Sequence, residues 1–106
     1  MSTSAPTAVF SALADDTRWG ILTRLGESPA SASALARELP VSRQAIVKHL
    51  EVLRAAGLVE AETHGRELVH RALGGRLSSL ARDLDRIAET WDRRLADIKR
   101  LAEEGG

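Results

Sequence analysis

The chain has 106 residues, enough for one small domain with a modest core, and its 15 basic and 15 acidic side chains cancel to a formal net charge of zero. It contains no cysteine, which excludes disulfides, thiolate zinc sites and cysteine nucleophiles. Hydrophobic residues make up 43%, chiefly Ala and Leu with one Phe, two Trp and no Tyr, a composition that favours helices over sheets.

The opening MSTSAPT is uncharged and has no apolar run, so residues 1–7 read as a disordered polar tail and not as a signal peptide. No apolar stretch approaches the roughly 20 residues that cross a bilayer, which points to a cytoplasmic protein. A short helix is expected from about Ala8 to Ala14. Asp15 or Asp16 then caps a second helix to about Leu25, with Ile21, Leu22 and Leu25 on one face. Gly20 inside it costs roughly 1 kcal/mol against Ala, which suggests close packing on a neighbouring helix. GESPAS is turn punctuation, and Ser33 is a candidate N-cap for a short helix that Pro40 stops after Leu39. Ser42 caps the next helix, which runs to Gly57. LVEAET and RELVHRAL alternate like two strands joined at His64-Gly65. Gly74-Gly75 breaks the chain before a long last helix, about Leu77 to Glu103. The fold class expected is mainly α, about five helices plus a two-stranded β-wing, in one domain over residues 8–104.

The stretch SRQAIVKHLEVLRAAGLV, residues 42–59, carries the functional signal. Ile46, Leu50 and Leu53 form one buried stripe, with Ala45, His49 and Ala56 beside them. The outward face presents Gln44, Val47, Lys48, Glu51 and Arg54, with Arg43 at its edge. A short helix, a tight Pro-Val-Ser turn and a longer helix make the helix-turn-helix layout, whose second helix enters the major groove by its N-terminal half. By residue type, Arg43, Gln44 and Val47 suit guanine, adenine and the thymine methyl. Ser42, Lys48 and His49 suit phosphates, which fix register. The hairpin that follows is a wing, and its tip places Arg66 near the flanking groove or backbone. The plainer reading of these polar residues is a solvated helix face, which the wing makes less attractive. From Arg37 to Arg71 there are six basic against five acidic residues, so affinity should be moderate, salt-dependent and reliant on two copies.

On the last helix Leu77, Leu84, Trp91 and Ile98 repeat every seven residues. Leu80 and Ile87 follow a second row, and Leu95 supplies an apolar side chain where Arg94 interrupts it. This stripe runs along a helix of roughly 40 Å, more than so small a domain can cover. Part of it is expected to fold back on its own domain. The rest joins Phe10 and Leu13 of the first helix in a two-fold homodimer seam. A two-fold pair of reading helices expects a pseudo-palindromic site in double-stranded DNA.

Taken together, ALADDTRWGILTRL and SALARELPVSRQAIVKHLEVLRAAGLVEAETHGRELVHRAL resemble the ArsR family of bacterial winged helix-turn-helix regulators, over roughly residues 8–104. The most specific part is Ser42 to Val59, where Gly57-Leu58-Val59 closes the helix. The resemblance implies a homodimeric operator-binding regulator, generally a repressor, with the terminal helices at the seam. TWDRRLADIKRLAEE resembles members without a metal site. Asp16 stands where a Pro is common in the family, and Trp19-Gly20 where Leu and a polar residue are usual. Neither lies on the reading front.

Many such relatives sense metals through Cys near the first helix of the DNA-binding pair, or through His and carboxylates on the last helix. Here SASALAREL holds neither Cys nor His, and the last helix carries Asp83, Asp85, Glu89, Asp92 and Asp97 without His, so no metal is expected. No nucleophile elbow, phosphate loop or metal-hydrolase motif is present, so neither an enzyme nor a cofactor is expected. An effector, small molecule or protein, is left open. A winged-helix interaction adaptor that does not bind DNA is the alternative, favoured by the zero net charge.

Overall fold

The computed structural model describes residues 6–105. Of the expected polar tail, residues 1–5 lie outside the described residues, while Pro6 and Thr7 already belong to the first helix, α1 (Pro6–Leu13). Proline is well suited to open a helix, because the N–H it lacks has no helical partner there. The chain divides into two units, one ending at Arg76 and one beginning at Leu77.

In the first unit α2 (Asp16–Glu27) is capped by Asp15, whose Oδ1 accepts the Arg18 N–H at 3.0 Å. That backbone hydrogen bond lowers the Asp15 pKa. The helix runs two residues past the expected end and stops at Ser28, which is extended because Pro29 follows it. A Cβ built on Gly20 meets nothing within 4 Å, so the close packing expected there is absent.

Strand β1 (Ala30–Ser31) pairs with His70 and Val69, and this moves the start of α3 (Ala32–Glu38) two residues earlier. Ser31, not Ser33, is the N-cap, accepting the Ala34 N–H at 3.1 Å. Leu39, extended before Pro40, ends the helix, and the Val41 N–H reaches back to the Leu39 carbonyl at 2.8 Å in a three-residue turn. Ser42 caps α4 (Arg43–Ala55) through a 3.2 Å bond from the Ala45 N–H.

The end of α4 follows from Gly57, whose φ of 78° is a left-handed conformation that glycine adopts without a Cβ clash. The Gly57 N–H bonds the Arg54 carbonyl and the Leu58 N–H bonds the Leu53 carbonyl, both at 3.0 Å, the paired bonds of a Schellman stop. Leu53 and Leu58, which that motif brings together, are both fully buried.

Strands β2 (Val59–His64) and β3 (Glu67–Ala72) form the expected hairpin, with His64 opposite Glu67 and Val59 opposite Ala72. The two-residue loop is Gly65-Arg66, one position beyond the His64-Gly65 expectation. Gly65 takes φ 64° and no other residue of the loop has positive φ, the pattern of a type II′ turn. Glu60 and Arg71 face each other across the strands and pair. The sheet is antiparallel in the order β1-β3-β2, so the two-stranded wing gains a short third strand.

The core of this unit gathers Val9 and Ala12 of α1, Ile21, Leu22 and Leu25 of α2, Leu35 of α3, Ile46, Leu50 and Leu53 of α4, and Leu58 and Val59 beyond it. Arg24 of α2 grips Glu38 of α3 bidentately at 2.7 and 3.2 Å, and this bond holds the Glu38 carboxyl below its ordinary pKa.

The last helix, α5 (Gly74–Gly105), begins at Gly74. The glycine pair therefore forms its first turn instead of breaking the chain ahead of it. The second unit is the remainder of this helix. Arg86 pairs with Asp83 and Arg100 with Asp97 on its polar side, and the Arg94 guanidinium lies 5.9 Å from the Trp91 ring centre. Among the described residues, no helix is long and apolar enough to cross a membrane.

Candidate nucleic-acid interface

Two folding decisions create the site. The Leu39-Pro40-Val41 turn stops α3 and redirects the chain, and the Ser42 cap starts α4 directly after it. Because Ile46, Leu50 and Leu53 anchor α4 inward, the opposite side of its first two turns must face out. Ser42, Arg43, Gln44 and Lys48 are exposed there, and Val47 is half-buried between them. Arg43 is steadied from below, its Nε donating to Ser33 Oγ at 2.9 Å. Ser33 thus supports Arg43 instead of capping α3. At the wing tip Arg66 is exposed in the II′ loop.

His49 differs from the phosphate-facing role expected of it. It is half-buried, and its Nδ1 lies 3.4 Å from Nη1 of Arg18 on α2. The same guanidinium donates through Nε to the Ala12 carbonyl at 2.6 Å and through Nη2 to the Ser11 carbonyl at 3.2 Å. Arg18 therefore ties the end of α1 to α2 and reaches toward α4. Sequence reasoning missed this residue because its partners lie on other helices, where spacing along one helix does not relate them to it.

Between α4 and the wing lies a cleft of about 280 Å³. Arg43, Val47, Leu50 and Arg54 line one side, Arg66, Leu68 and His70 the other, and Ala32 and Ser33 lie at one end. Arg54 belongs to this group although it was placed only on the outward face. Its spacing from Arg43 and Val47, at i+11 and i+7, was the available signal. His70 is buried and its Nδ1 has no hydrogen-bond partner. Burial first, and the nearby Arg54 charge second, lower its pKa from the ordinary 6.5.

The residues expected at a dimer seam divide by exposure. Phe10 is 45% exposed and Leu13 half-buried. On α5, Leu77 and Leu80 are the less exposed members, whereas Leu84, Ile87, Trp91, Leu95 and Ile98 all stand open. Among the described residues, no group of three or more His, Asp or Glu side chains is placed to hold a metal ion.

A short helix, a tight turn, an outward-facing second helix and an adjoining hairpin together define a winged helix-turn-helix. Residues 13–62 match the family model described as a helix-turn-helix domain. The HTH-type transcriptional regulator Rv2034 of Mycobacterium tuberculosis is 40% identical over 96% of this chain and 92% of its own length. The HTH-type transcriptional repressor SmtB of the same organism is 35% identical over 76% of this chain and 58% of its own. Among solved structures, an ArsR-like transcriptional regulator from Rhodococcus sp. RHA1 superposes with a TM-score of 0.85 at 59% identity, covering 92% of both chains. The homodimeric winged helix-turn-helix DNA-binding domain of Mb0332 from Mycobacterium bovis superposes with a TM-score of 0.65 at 26% identity, over 78% of this chain and 77% of that one. The chain belongs to the ArsR family of winged helix-turn-helix transcriptional regulators.

Proposed function

We propose that the protein is a cytoplasmic, sequence-specific repressor that binds a pseudo-palindromic operator as a homodimer. The observation that carries this is the exposed front of α4, Ser42 to Lys48, turned out by a buried stripe and flanked by Arg66 on the wing. Arg43, Gln44 and Val47 read base edges. Ser42, Lys48 and Arg66 anchor phosphates, aided by the partial positive charge at the α4 N-terminus. His49, half-buried and turned toward Arg18, is left out of the phosphate set.

The dimer forms through the apolar row of α5, Leu77, Leu80, Leu84, Ile87, Trp91, Leu95 and Ile98, joined by Phe10 and Leu13 of α1. Support comes from the open α5 residues, 44–62% exposed from Leu84 to Ile98, a stripe too large to leave in water. The Mycobacterium bovis domain, a homodimer, and SmtB, a repressor, support the same reading.

The zero net charge favours a second reading, a winged-helix adaptor that binds protein and not DNA. A gel-shift of the full chain against the DNA upstream of its own gene, at two salt concentrations, separates the two. The repressor reading expects a specific complex weakened by salt, and the adaptor reading expects no complex at either.

A further inference from the structure

The cleft between α4 and the wing has features that operator reading leaves unused. Its lining is graded from rim to base. Arg43, Arg54 and Arg66 stand exposed at the rim against Glu51 and Glu67, a surplus of one positive charge. Among the described residues, neither Arg54 nor Arg66 is held in an ion pair. Deeper in, Leu50 and Ala32 are buried and Val47 is half-buried, which makes the base apolar. His70 lines it too, 8% exposed, its unpartnered Nδ1 sealed away from the open space.

An occupant must therefore bring an anionic group for the arginines and an apolar body for the base. A duplex backbone meets the first need alone, and the two glutamates oppose a polyanion. A carboxylate suits an arginine fork, which binds it through two parallel N–H donors. The volume, about 280 Å³, lies just below the usual range of ligand pockets, roughly 300–1,000 Å³, and suits a compact molecule.

We propose that this cleft binds a small organic carboxylate with an apolar body, and that the ligand and DNA exclude one another. The exclusion rests on the function proposed above, because Arg43, Val47 and Arg66 line the cleft and also face the operator. The binding itself does not depend on DNA. Occupation draws Arg43 and Arg66 inward onto the ligand and withdraws two cations from the duplex.

The test is a titration of the full chain, without DNA, followed by amide NMR. The probes are acetate, benzoate and phenylpropionate, with benzamide and inorganic phosphate as controls. The aryl carboxylates are expected to shift the Leu50, Leu68 and His70 signals saturably. Benzamide, phosphate and acetate should bind at least about tenfold more weakly, and Arg54→Gln should weaken benzoate about tenfold, the loss of one charge-assisted hydrogen bond. Absence of saturable shifts with both aryl carboxylates overturns the proposal. So does benzamide or phosphate binding equally well, or an Arg54→Gln variant that binds as the parent does. A second arm adds labelled upstream DNA. Displacement of the DNA at the ligand's own half-saturation supports exclusion, and a ternary complex overturns it. Ligand binding by a chain that ignores DNA supports the cleft and refutes only the operator reading.

Discussion

Replacement of Arg18 by methionine should loosen α1 from the rest of the first unit. Methionine keeps the length and apolar stem of the side chain but removes every donor. Two carbonyls at the end of α1 lose a charged partner, Ala12 at 2.6 Å and Ser11 at 3.2 Å, from a side chain only 18% exposed. A hydrogen bond to a charged group contributes about 1.5–3 kcal/mol, and the Ser11 bond, open to water, falls below that range. The His49 contact, at 3.4 Å, is long and adds little. The sum is about 2–3 kcal/mol, a large share of a domain's usual 5–15 kcal/mol. An eight-residue helix has no stability of its own, so the loss should appear first as fraying of α1. Urea unfolding at a fixed protein concentration reads the total, and amide exchange across α1 locates it. Arg18→Lys should recover less than half, since one ammonium cannot serve two carbonyls and an imidazole in the fork geometry. A loss below about 0.5 kcal/mol, the usual size of a surface substitution, would refute the assignment of Arg18 as the tie.

Gly20→Ala should stabilise the fold by about 0.5–1 kcal/mol, because its Cβ meets nothing and the unfolded chain loses freedom; a lowered urea midpoint would show a hidden contact. Lys48→Ala should weaken binding to all duplexes and reduce the salt slope by about 1 per site, whereas Arg43→Ala should relax preference at particular bases. Equal effects of the two on specific and random DNA would cancel their separate roles. Leu84→Asp or Trp91→Asp should yield monomers that bind half-sites poorly, and sedimentation of the parent as a stable monomer at micromolar concentration would contradict the seam. For His70, the folded pKa lies below the ordinary 6.5, so the unfolded chain binds the extra proton first. Stability should be fully present above pH 6.5 and fall as pH drops toward the folded pKa. His70→Gln should flatten that slope below pH 6.5 in unfolding measurements, and an unchanged slope would assign it to other groups.

Much of this architecture can be read from the chain because its signals are local. A helix announces itself by apolar spacing and by the residue that caps it, so Asp15, Ser42 and Gly57 locate the ends of α2 and α4 to within two residues. The helix-turn-helix and its hairpin follow from the order of those elements, and the polar front of α4 follows from the buried stripe behind it. Where a local signal was ambiguous, the reading slipped. Ser31 and Ser33 are chemically equal as caps, and what selects Ser31 is the pairing of Ala30 and Ser31 with His70 and Val69 of β3. Gly74-Gly75 looks like a break because glycine is a poor helix former, yet in the first turn that cost is small and α5 begins there.

The amino-acid order thus determined the helices and the hairpin, the exposed polar front of α4 and the apolar row of α5, since each depends on neighbours within one or two turns. Only the tertiary structure decided which distant side chains meet. Arg18 reaches His49, Ser33 supports Arg43, and Arg54 and His70 come to line one cleft across α4 and β3. Those meetings depend on how separate elements pack and on strand register, and no helical or strand period encodes them.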